Sequence, residues 1–251
     1  MFDVKKTTED LIQWIKDWFE ENGKGCNAVL GISGGKDSTI VAALLAKALG
    51  SHRVIGVAMP DEGQWINGAD AICKYLGIRY VYAPIGGIVH SFGLMHGITL
   101  DPTLKWSNQS EQNIPPRVRM TMLYAIAQTN NGRVAGTCNL SEDYVGYFTK
   151  HGDGASDFEP LADLTVTEIL QIGDYLGLPY EWVHKKPSDG LPHSQDDEDK
   201  LGFTYAELDK YIRMEEMPND ESKAKIESWH NRNLFKLRPI KKFESGLPKR
   251  D

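Results

Sequence analysis

An octet rich in glycine and polar residues is the stretch of this sequence with the clearest chemical potential. It consists of Gly31, Ile32, Ser33, Gly34, Gly35, Lys36, Asp37 and Ser38. An apolar run at 28–30 precedes it and a helical pattern at 39–49 follows it, which predicts a strand, a glycine turn and a helix. The backbone N–H groups at such a helix start bind phosphate, and glycine lets the backbone approach the ligand closely. The octet therefore predicts a phosphate-binding loop.

The octet differs from the Walker A loop, which has four residues between its glycines and a Ser or Thr after its Lys. Here three residues separate Gly31 from Gly35, and Asp37 follows Lys36. Because a carboxylate beside a phosphate needs a cation between them, we interpret Asp37 as a Mg²⁺ ligand that bridges to phosphate oxygens. The alternative is a structural turn in which Asp37 and Ser38 cap the following helix.

The elements around the octet indicate how it is positioned. Strand patterns at 28–30, 53–60 and 80–83 alternate with helical patterns at 39–49 and 67–76. This order predicts an α/β fold with an open, mainly parallel, Rossmann-like sheet that carries helices on both faces. Ligands of such sheets bind at the carboxyl ends of the strands, so the octet belongs to the ligand-binding edge.

A fourth strand, predicted at 133–135, ends in a second segment of small and polar residues that includes Thr137 and Glu142. We expect Glu142 to face Asp37 across the edge of the sheet as a second metal ligand. The alternative is that Glu142 lies in the first turn of a helix and complements its dipole.

A helix predicted at 117–129 has almost no polar face, which predicts deep burial or an oligomer interface. Cations are disfavoured at a helix start, so Arg117 and Arg119 indicate an anionic ligand, or else salt bridges to nearby carboxylates. The preceding segment, 96–116, carries three prolines and is predicted to be a surface loop.

A second glycine-rich polar loop, predicted at 148–157, offers Lys150 to an anion and Asp157 to a cation or to hydroxyl groups. Residues 179–201 are predicted to form a loop that closes over the triphosphate. The acidic run at 196–199 within it is interpreted as solvated, with a metal site as the minor alternative.

The composition is that of a single soluble domain, 1–251, with a loop-rich C-terminal part at about 179–251. The net charge of −7 argues against a nucleic-acid partner. No apolar run is long enough to span a membrane, and three scattered cysteines indicate a reducing compartment, so we expect a cytoplasmic protein.

The octet resembles the Ser-Gly-Gly-x-Asp-Ser signature of the N-type ATP pyrophosphatases, which split ATP into AMP and pyrophosphate. Together with the segments at 113–120, 136–142 and 146–157, it looks like the ammonia-dependent NAD synthetases. The resemblance runs from about Thr8 to Arg213. It implies an adenine nucleotide α-hydrolase-like fold, Mg²⁺ as cofactor, a homodimer, and a ligase that amidates nicotinic acid adenine dinucleotide with ammonia. ATP is the co-substrate and an acyl-adenylate the intermediate.

The resemblance also implies a role for individual residues. The implied residues are Asp37 and Glu142 for the metal; Asp37 and Lys150 for catalysis; the octet, Thr137 and Ser188 for ATP; and Arg117, Lys150, Asp157 and Lys236 for the dinucleotide substrate. Three positions depart from the family pattern, with Val166, Ser188 and Phe235 in place of Lys, Thr and His. We expect Lys185 or Lys186 to supply the cation missing at Val166.

Three other functions fit the sequence less well. A tRNA-modifying ATP pyrophosphatase would carry a basic surface and often catalytic cysteines, which this acidic chain with scattered Cys26, Cys73 and Cys138 does not suggest. A GMP-synthetase-like enzyme would need a purine site that no segment indicates. An adenine-nucleotide sensor without turnover is the non-enzymatic alternative, and Asp37, Glu142 and Lys150 together favour an enzyme over it.

Overall fold

The computed structural model describes residues 2–62, 68–98, 106–184 and 197–247, and for 94–98 it describes the backbone alone. Within these ranges lie four strands: β1 (Asn27–Gly31), β2 (Val54–Ala58), β3 (Arg79–Tyr82) and β4 (Gly132–Val134). The helices are α1 (Val4–Asn22), α2 (Lys36–Leu49), α3 (Ala69–Leu76), α4 (Gly86–Ile98), α5 (Asn108–Thr129), α6 (Leu140–Val145), α7 (Val166–Tyr175), α8 (Tyr180–Val183), α9 (Asp197–Leu201), α10 (Tyr205–Ile212) and α11 (Asp220–Leu237).

The four strands form one parallel sheet in the order β3-β2-β1-β4. Alternate residues of β1 enter different apolar clusters, because successive side chains of a strand point to opposite faces. Leu30 packs with α1, α2 and α7 on one face, and Val29 packs with α5 on the other. The parallel sheet with helices on both faces confirms the predicted fold class.

A third apolar cluster lies beyond the sheet and joins α6, α9, α10 and α11. It is built around Val145, Leu208 and Ile226, each of which is fully buried. The described part of 179–251 is thus more helical than the predicted loop-rich region. The region's status as part of a single domain stays a prediction.

The prediction of a loop at 96–116 is wrong at both of its described ends, because α4 continues to Ile98 and α5 covers 108–116. Helix α5 begins at Asn108 and contains Pro115 and Pro116 in its interior. Each proline removes one helical hydrogen bond, but the residues whose carbonyls lose it, Glu111 and Gln112, are exposed and can be hydrated. Arg117 and Arg119 consequently lie inside α5, so the argument from an unfavourable helix start does not apply to them.

Helix α5 also corrects the prediction of a helix that is apolar on every side. Val118, Leu123 and Ala127 are buried against the sheet, whereas Thr121 and Ala125 are exposed in the single chain. One face of the helix therefore packs on β1 and β4 and the opposite face is open.

Helix α1 is capped by the residue that precedes it. Its first residue is Val4, and the carboxylate of Asp3 caps it by accepting from the Lys6 N–H at 3.0 Å. Thr8, inside the helix, is fully buried, and its hydroxyl donates to the Val4 carbonyl. In the described part of the chain, no helix combines the length and the apolar composition needed to cross a membrane.

The centre of β2 is packed too closely for a side chain at Gly56. A Cβ atom there would lie 2.7 Å from the Cys73 sulfur and 2.9 Å from a methylene of Ile32. We therefore expect Gly56→Ala to lower the free energy of unfolding by about 1–3 kcal/mol, the usual cost of overpacking. Denaturant unfolding measures this.

The matched control is Gly87→Ala, because an added Cβ there meets no heavy atom within 4 Å. That variant should be as stable as the unsubstituted protein or up to about 1 kcal/mol more stable, because alanine is the better helix former within α4. Equal stability of the two variants would show that the interior around Gly56 is looser than described.

Candidate active site

The octet forms the turn from β1 to α2, as predicted. Gly34 has a positive φ of 78°, which glycine adopts without strain. The hydroxyls of Ser33 and Ser38 lie 3.1 Å apart and cross-link the turn, and the Gly35 N–H donates to the Ser33 oxygen at 3.2 Å. The turn is therefore ordered by its own side chains.

The alternative interpretation of Asp37 and Ser38 as helix caps is not what the structure contains. The residue at the N-cap of α2 is Gly35, and it makes no side-chain capping bond. Ser38 donates its hydroxyl proton to the Gly35 carbonyl instead of accepting from a helical N–H. The N–H groups of the first turn are thus not capped by side chains, as a phosphate-binding loop requires.

Two carboxylates come together beside this turn and share one buried amide. Asn139, which is fully buried, donates its side-chain N–H to the Asp37 carboxylate at 3.1 Å. Its side-chain oxygen accepts from the Glu142 N–H at 3.0 Å, and its backbone N–H donates to the Glu142 carboxylate at 3.4 Å. Asn139 thereby fixes Glu142 at the start of α6 and orients Asp37.

The predicted alternative for Glu142 is therefore also correct, because Glu142 completes a capping box at the first turn of α6. The capping role does not exclude the proposed metal role. Burial, followed by repulsion from Asp37, raises the pKa of Glu142 to about 8. Two carboxylates at close range in a partly desolvated site carry an excess of negative charge.

Lys36 offsets part of this charge. Its ammonium lies 2.9 Å from the Asp37 carboxylate, and the residue is only 7 % exposed. Burial lowers the pKa of Lys36, but the charges of Asp37, Glu142 and Asp197 outweigh it and the net pKa is raised. The single positive charge of Lys36 does not balance the three carboxylates, so the electrostatics favour a further cation.

Asp197 belongs to the acidic run at 196–199 that the sequence pattern predicted to be solvated. Its carboxylate accepts from the Tyr147 hydroxyl at 2.9 Å, and its charge acts on both Lys36 and Tyr205. Asp197 therefore belongs to the electrostatic environment of the site, whereas Asp199 in the same run is exposed.

Three cations predicted to bind the substrate surround the segment after α6. The Arg117 guanidinium donates to the Lys150 carbonyl at 3.3 Å, and the Lys150 ammonium donates to the Phe235 carbonyl at 3.1 Å. Lys236 donates to the carbonyls of Gly146 and Phe148 at 2.7 and 2.8 Å. These partners are neutral carbonyls, so the cationic charges stay available to an anion.

Asp157 has a clear structural function in addition to its predicted contact with substrate. Its carboxylate accepts from the Val134 N–H at 2.7 Å and from the Tyr124 hydroxyl at 3.3 Å. It therefore ties the glycine-rich loop to β4 and α5. Thr137 lies half-buried on the connection from β4 to α6, next to this loop.

A buried hydrogen-bonded cluster fixes the position of α6 relative to α7 and α10. Asp209, 4 % exposed, accepts from the Ser141 hydroxyl at 2.5 Å, from the Thr167 N–H at 2.7 Å and from the Thr167 hydroxyl at 2.6 Å. The Ser141 oxygen also accepts from the Val166 N–H at 3.0 Å. Helices α6, α7 and α10 are linked through this one carboxylate.

Several predicted contacts lie outside the described residues. They are Ser188 and the two candidate cations Lys185 and Lys186, together with most of the predicted lid. Val166, which stands where the family often has Lys, is the buried first residue of α7 and contributes no charge.

The donor set of the site decides whether it fits Mg²⁺. Among the described residues, no group of three or more His, Cys, Asp or Glu side chains is arranged for a metal ion. Two carboxylates whose repulsion is only partly offset by one lysine nevertheless suit Mg²⁺, which usually takes one or two protein carboxylates, several waters and substrate phosphates. The residues present fit that pattern, with Asp37 and Glu142 as the candidate ligands.

A parallel α/β sheet with a glycine-rich strand-to-helix turn and paired carboxylates at its carboxyl edge is typical of nucleotide-binding α/β enzymes. The family described as NAD synthase has a sequence model that matches residues 7–246. The chain belongs to that family, which is a family of ligases. Membership in this family favours NAD synthesis over the tRNA-modifying and GMP-synthetase-like alternatives.

Individual relatives agree with this assignment. An NH(3)-dependent NAD(+) synthetase from Methanococcus aeolicus is 44 % identical over 196 residues, covering 77 % of this chain and 75 % of that protein. One from Finegoldia magna is 38 % identical over 244 residues, covering 95 % and 96 %.

Solved structures are similar over nearly the whole chain. An NMN synthetase from Francisella tularensis superposes with a TM-score of 0.87 at 30 % identity, covering 96 % of this chain and 99 % of that one. An NH3-dependent NAD synthetase from Campylobacter jejuni, in complex with nitrate, superposes with a TM-score of 0.79 at 27 % identity, covering 97 % and 100 %.

The raised pKa of Glu142 gives the protein a specific pH dependence. A carboxyl whose pKa is raised from 4.5 to about 8 binds more protons in the folded than in the unfolded state, so stability falls as pH rises through that interval. We expect Glu142→Gln to flatten the decline of the melting temperature between pH 5 and pH 8. Gln retains an oxygen for the capping bond from Asn139.

Glu9→Gln is the matched control, because Glu9 is exposed on α1 and the chemical change is the same; its melting temperature should follow the pH profile of the unsubstituted protein. Excess Mg²⁺ should also flatten the profile of the unsubstituted protein, since a bound cation favours the ionised carboxylate. Identical pH profiles for the unsubstituted protein and Glu142→Gln would contradict the described environment.

Proposed function

We propose that the protein is a Mg²⁺-dependent, ammonia-using NAD synthetase that amidates the nicotinate carboxylate of nicotinic acid adenine dinucleotide at the expense of ATP. The single observation that carries the proposal is the convergence of Asp37 and Glu142 beside Lys36 at the end of β1. In a chain of the NAD synthase family, this arrangement is suited to the triphosphate of ATP.

The chemistry has two steps because a carboxylate is a poor electrophile. An oxygen of the nicotinate carboxylate attacks the α-phosphorus of ATP, the bond to the bridging oxygen breaks, and pyrophosphate leaves. Ammonia then attacks the carboxyl carbon of the acyl-adenylate, loses a proton, and expels AMP to leave the amide. The protein contributes position and charge neutralisation and needs no nucleophilic side chain.

These tasks divide between two groups of residues. The octet would bind the phosphates through its helix N–H groups and the Lys36 ammonium. Thr137 is a further proposed ATP contact, and so is Ser188, which lies outside the described residues. Asp37 and Glu142 would hold Mg²⁺, which supplies neutralisation of the charge on the leaving pyrophosphate. Asn139 keeps the two carboxylates oriented.

The second group serves the dinucleotide substrate. Arg117, Lys150 and Lys236 would bind its anionic groups, and Lys150 would also act catalytically by stabilising negative charge that develops during transfer. Asp157 would accept from substrate hydroxyls. Their present carbonyl partners support the proposal, because an anion forms stronger bonds to these cations than a neutral carbonyl does.

We further propose a cytoplasmic homodimer in which the open face of α5 contributes to the interface. Met122 and Ile126 are only partly buried on that helix in the single chain, and apolar faces of this kind are typical of subunit contacts. Light scattering of the purified protein measures the mass. A monomer at micromolar concentration would argue against the dimer alone, not against the activity.

The activity is tested by incubating the protein with ATP, Mg²⁺, ammonium and nicotinic acid adenine dinucleotide. NAD, AMP and pyrophosphate should appear in equal amounts, and omission of Mg²⁺ should stop all three. Formation of ADP would contradict attack at the α-phosphorus, and nucleotide binding without products would support the sensor alternative.

A second candidate is amidation of nicotinic acid mononucleotide, which lacks the adenylate half. The observation that favours it is the higher TM-score to the NMN synthetase, 0.87, than to the NAD synthetase, 0.79. The ratio of kcat/KM for the dinucleotide and the mononucleotide decides between them. We expect the dinucleotide to be preferred, in keeping with the names of the relatives at about 40 % identity.

A further inference from the structure

Tyr205, the first residue of α10, carries a buried hydroxyl group without a hydrogen-bond partner. The residue is 5 % exposed, and within the described ranges its oxygen is the only fully buried side-chain polar atom that lacks a partner. Buried polar groups are nearly always paired, because an unpaired one costs free energy of desolvation. A phenylalanine at this position would avoid that cost.

The packing of Tyr205 does not account for its hydroxyl. The ring lies in the apolar cluster with Leu201, Phe203 and Leu208, where a phenylalanine ring would pack equally well. Its backbone N–H donates to the Glu198 carboxylate at 2.8 Å, and that bond is independent of the side chain. Nothing structural in the described surroundings uses the oxygen.

The charged groups around the ring are those proposed to bind phosphate and metal. The Lys36 ammonium lies 5.9 Å from the centre of the ring. Burial, and then the charges of Glu142, Asp197 and Asp37, raise the pKa of Tyr205. The phenol therefore remains protonated and is a hydrogen-bond donor at any physiological pH.

We propose that Tyr205 is an ATP-binding residue, whose hydroxyl donates a hydrogen bond to a phosphate oxygen of the nucleotide held by the octet. The proposal rests on the proposed function, because it requires a polyphosphate beside Lys36. Bound nucleotide would supply the acceptor that the hydroxyl lacks, and the cost of the unpaired group would be recovered on binding. None of the other residues proposed to bind ATP or Mg²⁺ lies on α10.

The test is Tyr205→Phe, studied with the full chain. Without ligand, the variant should melt about 2 °C or more above the unsubstituted protein, because it loses an unpaired buried hydroxyl. With Mg²⁺ and α,β-methylene-ATP, which cannot be split at the α-phosphorus, its dissociation constant should rise roughly ten- to hundredfold, as for loss of a hydrogen bond to a charged group.

Tyr211→Phe is the matched control on the same helix, because its hydroxyl already donates to Glu227 at 3.2 Å near the surface. It should bind the analogue as the unsubstituted protein does and should gain no stability. Lower melting of Tyr205→Phe without ligand, or unchanged affinity for the analogue, would overturn the proposal.

These results are separable from failure of the proposed function. If the unsubstituted protein binds the analogue but makes no NAD, then the proposed function fails. The comparison of Tyr205→Phe with Tyr211→Phe in nucleotide binding still decides the role of Tyr205 in that case.

Discussion

Replacement of Asp37 by asparagine should lower kcat for NAD formation by at least about a hundredfold, the scale expected for losing a metal ligand or a principal electrostatic contact. Asparagine keeps the shape of the side chain, but it cannot neutralise a divalent cation. In this variant the buried ammonium of Lys36 still has the negative charge of Glu142 nearby. The fold should therefore persist. Circular dichroism and steady-state kinetics at saturating Mg²⁺ measure the two properties.

Asp17→Asn is the control for this variant. Asp17 lies on the exposed surface of α1, where its carboxylate accepts from Gln13 at 2.8 Å, and the chemical change is the same. Its kinetics should equal those of the unsubstituted protein. Activity of Asp37→Asn within threefold of normal would remove Asp37 from the metal site.

Replacement of Asp209 by alanine should produce the largest loss of stability. It removes the acceptor of three hydrogen bonds and leaves the buried Ser141 hydroxyl without its acceptor, whereas the donors of exposed Thr167 can bond to water. Because these bonds are made to a carboxylate, a loss of about 3 kcal/mol is expected, which corresponds to a fall in the melting temperature of about 6–12 °C. Differential scanning calorimetry measures it directly.

Asp209→Asn should have an intermediate effect, because its amide retains one acceptor oxygen but presents a donor to Thr167. Asp10→Ala is the surface control, since Asp10 pairs with Lys6 in an exposed salt bridge that should contribute well under 1 kcal/mol. Similar melting temperatures for Asp209→Ala and Asp10→Ala would show that the buried cluster does not hold α6, α7 and α10 together.

The sheet and the octet could be predicted because their signals are local. Apolar runs punctuated by glycine identify β1, β2 and β3 without any knowledge of partners, and the octet contains its own strand, turn and helix start. The sequence also indicated that Glu142 meets Asp37, because parallel strands bring their carboxyl ends to one edge.

Other features depend on contacts that no local pattern encodes. The prolines at 115 and 116 indicated a loop, yet helix α5 runs through them because the affected carbonyls face solvent. Tyr205 looks like an ordinary core aromatic in the sequence, and its unpaired hydroxyl is apparent only in three dimensions. Asn139 was foreseeable in part, since an asparagine three residues before a glutamate is a capping-box pattern.

Asp209 shows the same limit for buried polar networks. In the sequence it is one acidic residue in a short charged helix, typical of a solvated face. Its three donors come from Ser141 and Thr167, which precede it by 68 and 42 residues. Such a pairing follows from tertiary packing and could not be predicted from spacing.

The most direct measurement follows an oxygen atom from the substrate to AMP. The substrate is nicotinic acid adenine dinucleotide labelled with ¹⁸O in its nicotinate carboxylate, and it is converted with ATP, Mg²⁺ and ammonium. Mass spectrometry then measures the isotope content of the products. If the carboxylate attacks the α-phosphorus beside Asp37 and Glu142, one ¹⁸O atom appears in each AMP and none in pyrophosphate. Label in inorganic phosphate, or AMP without label, would contradict the acyl-adenylate and with it the function assigned to this site.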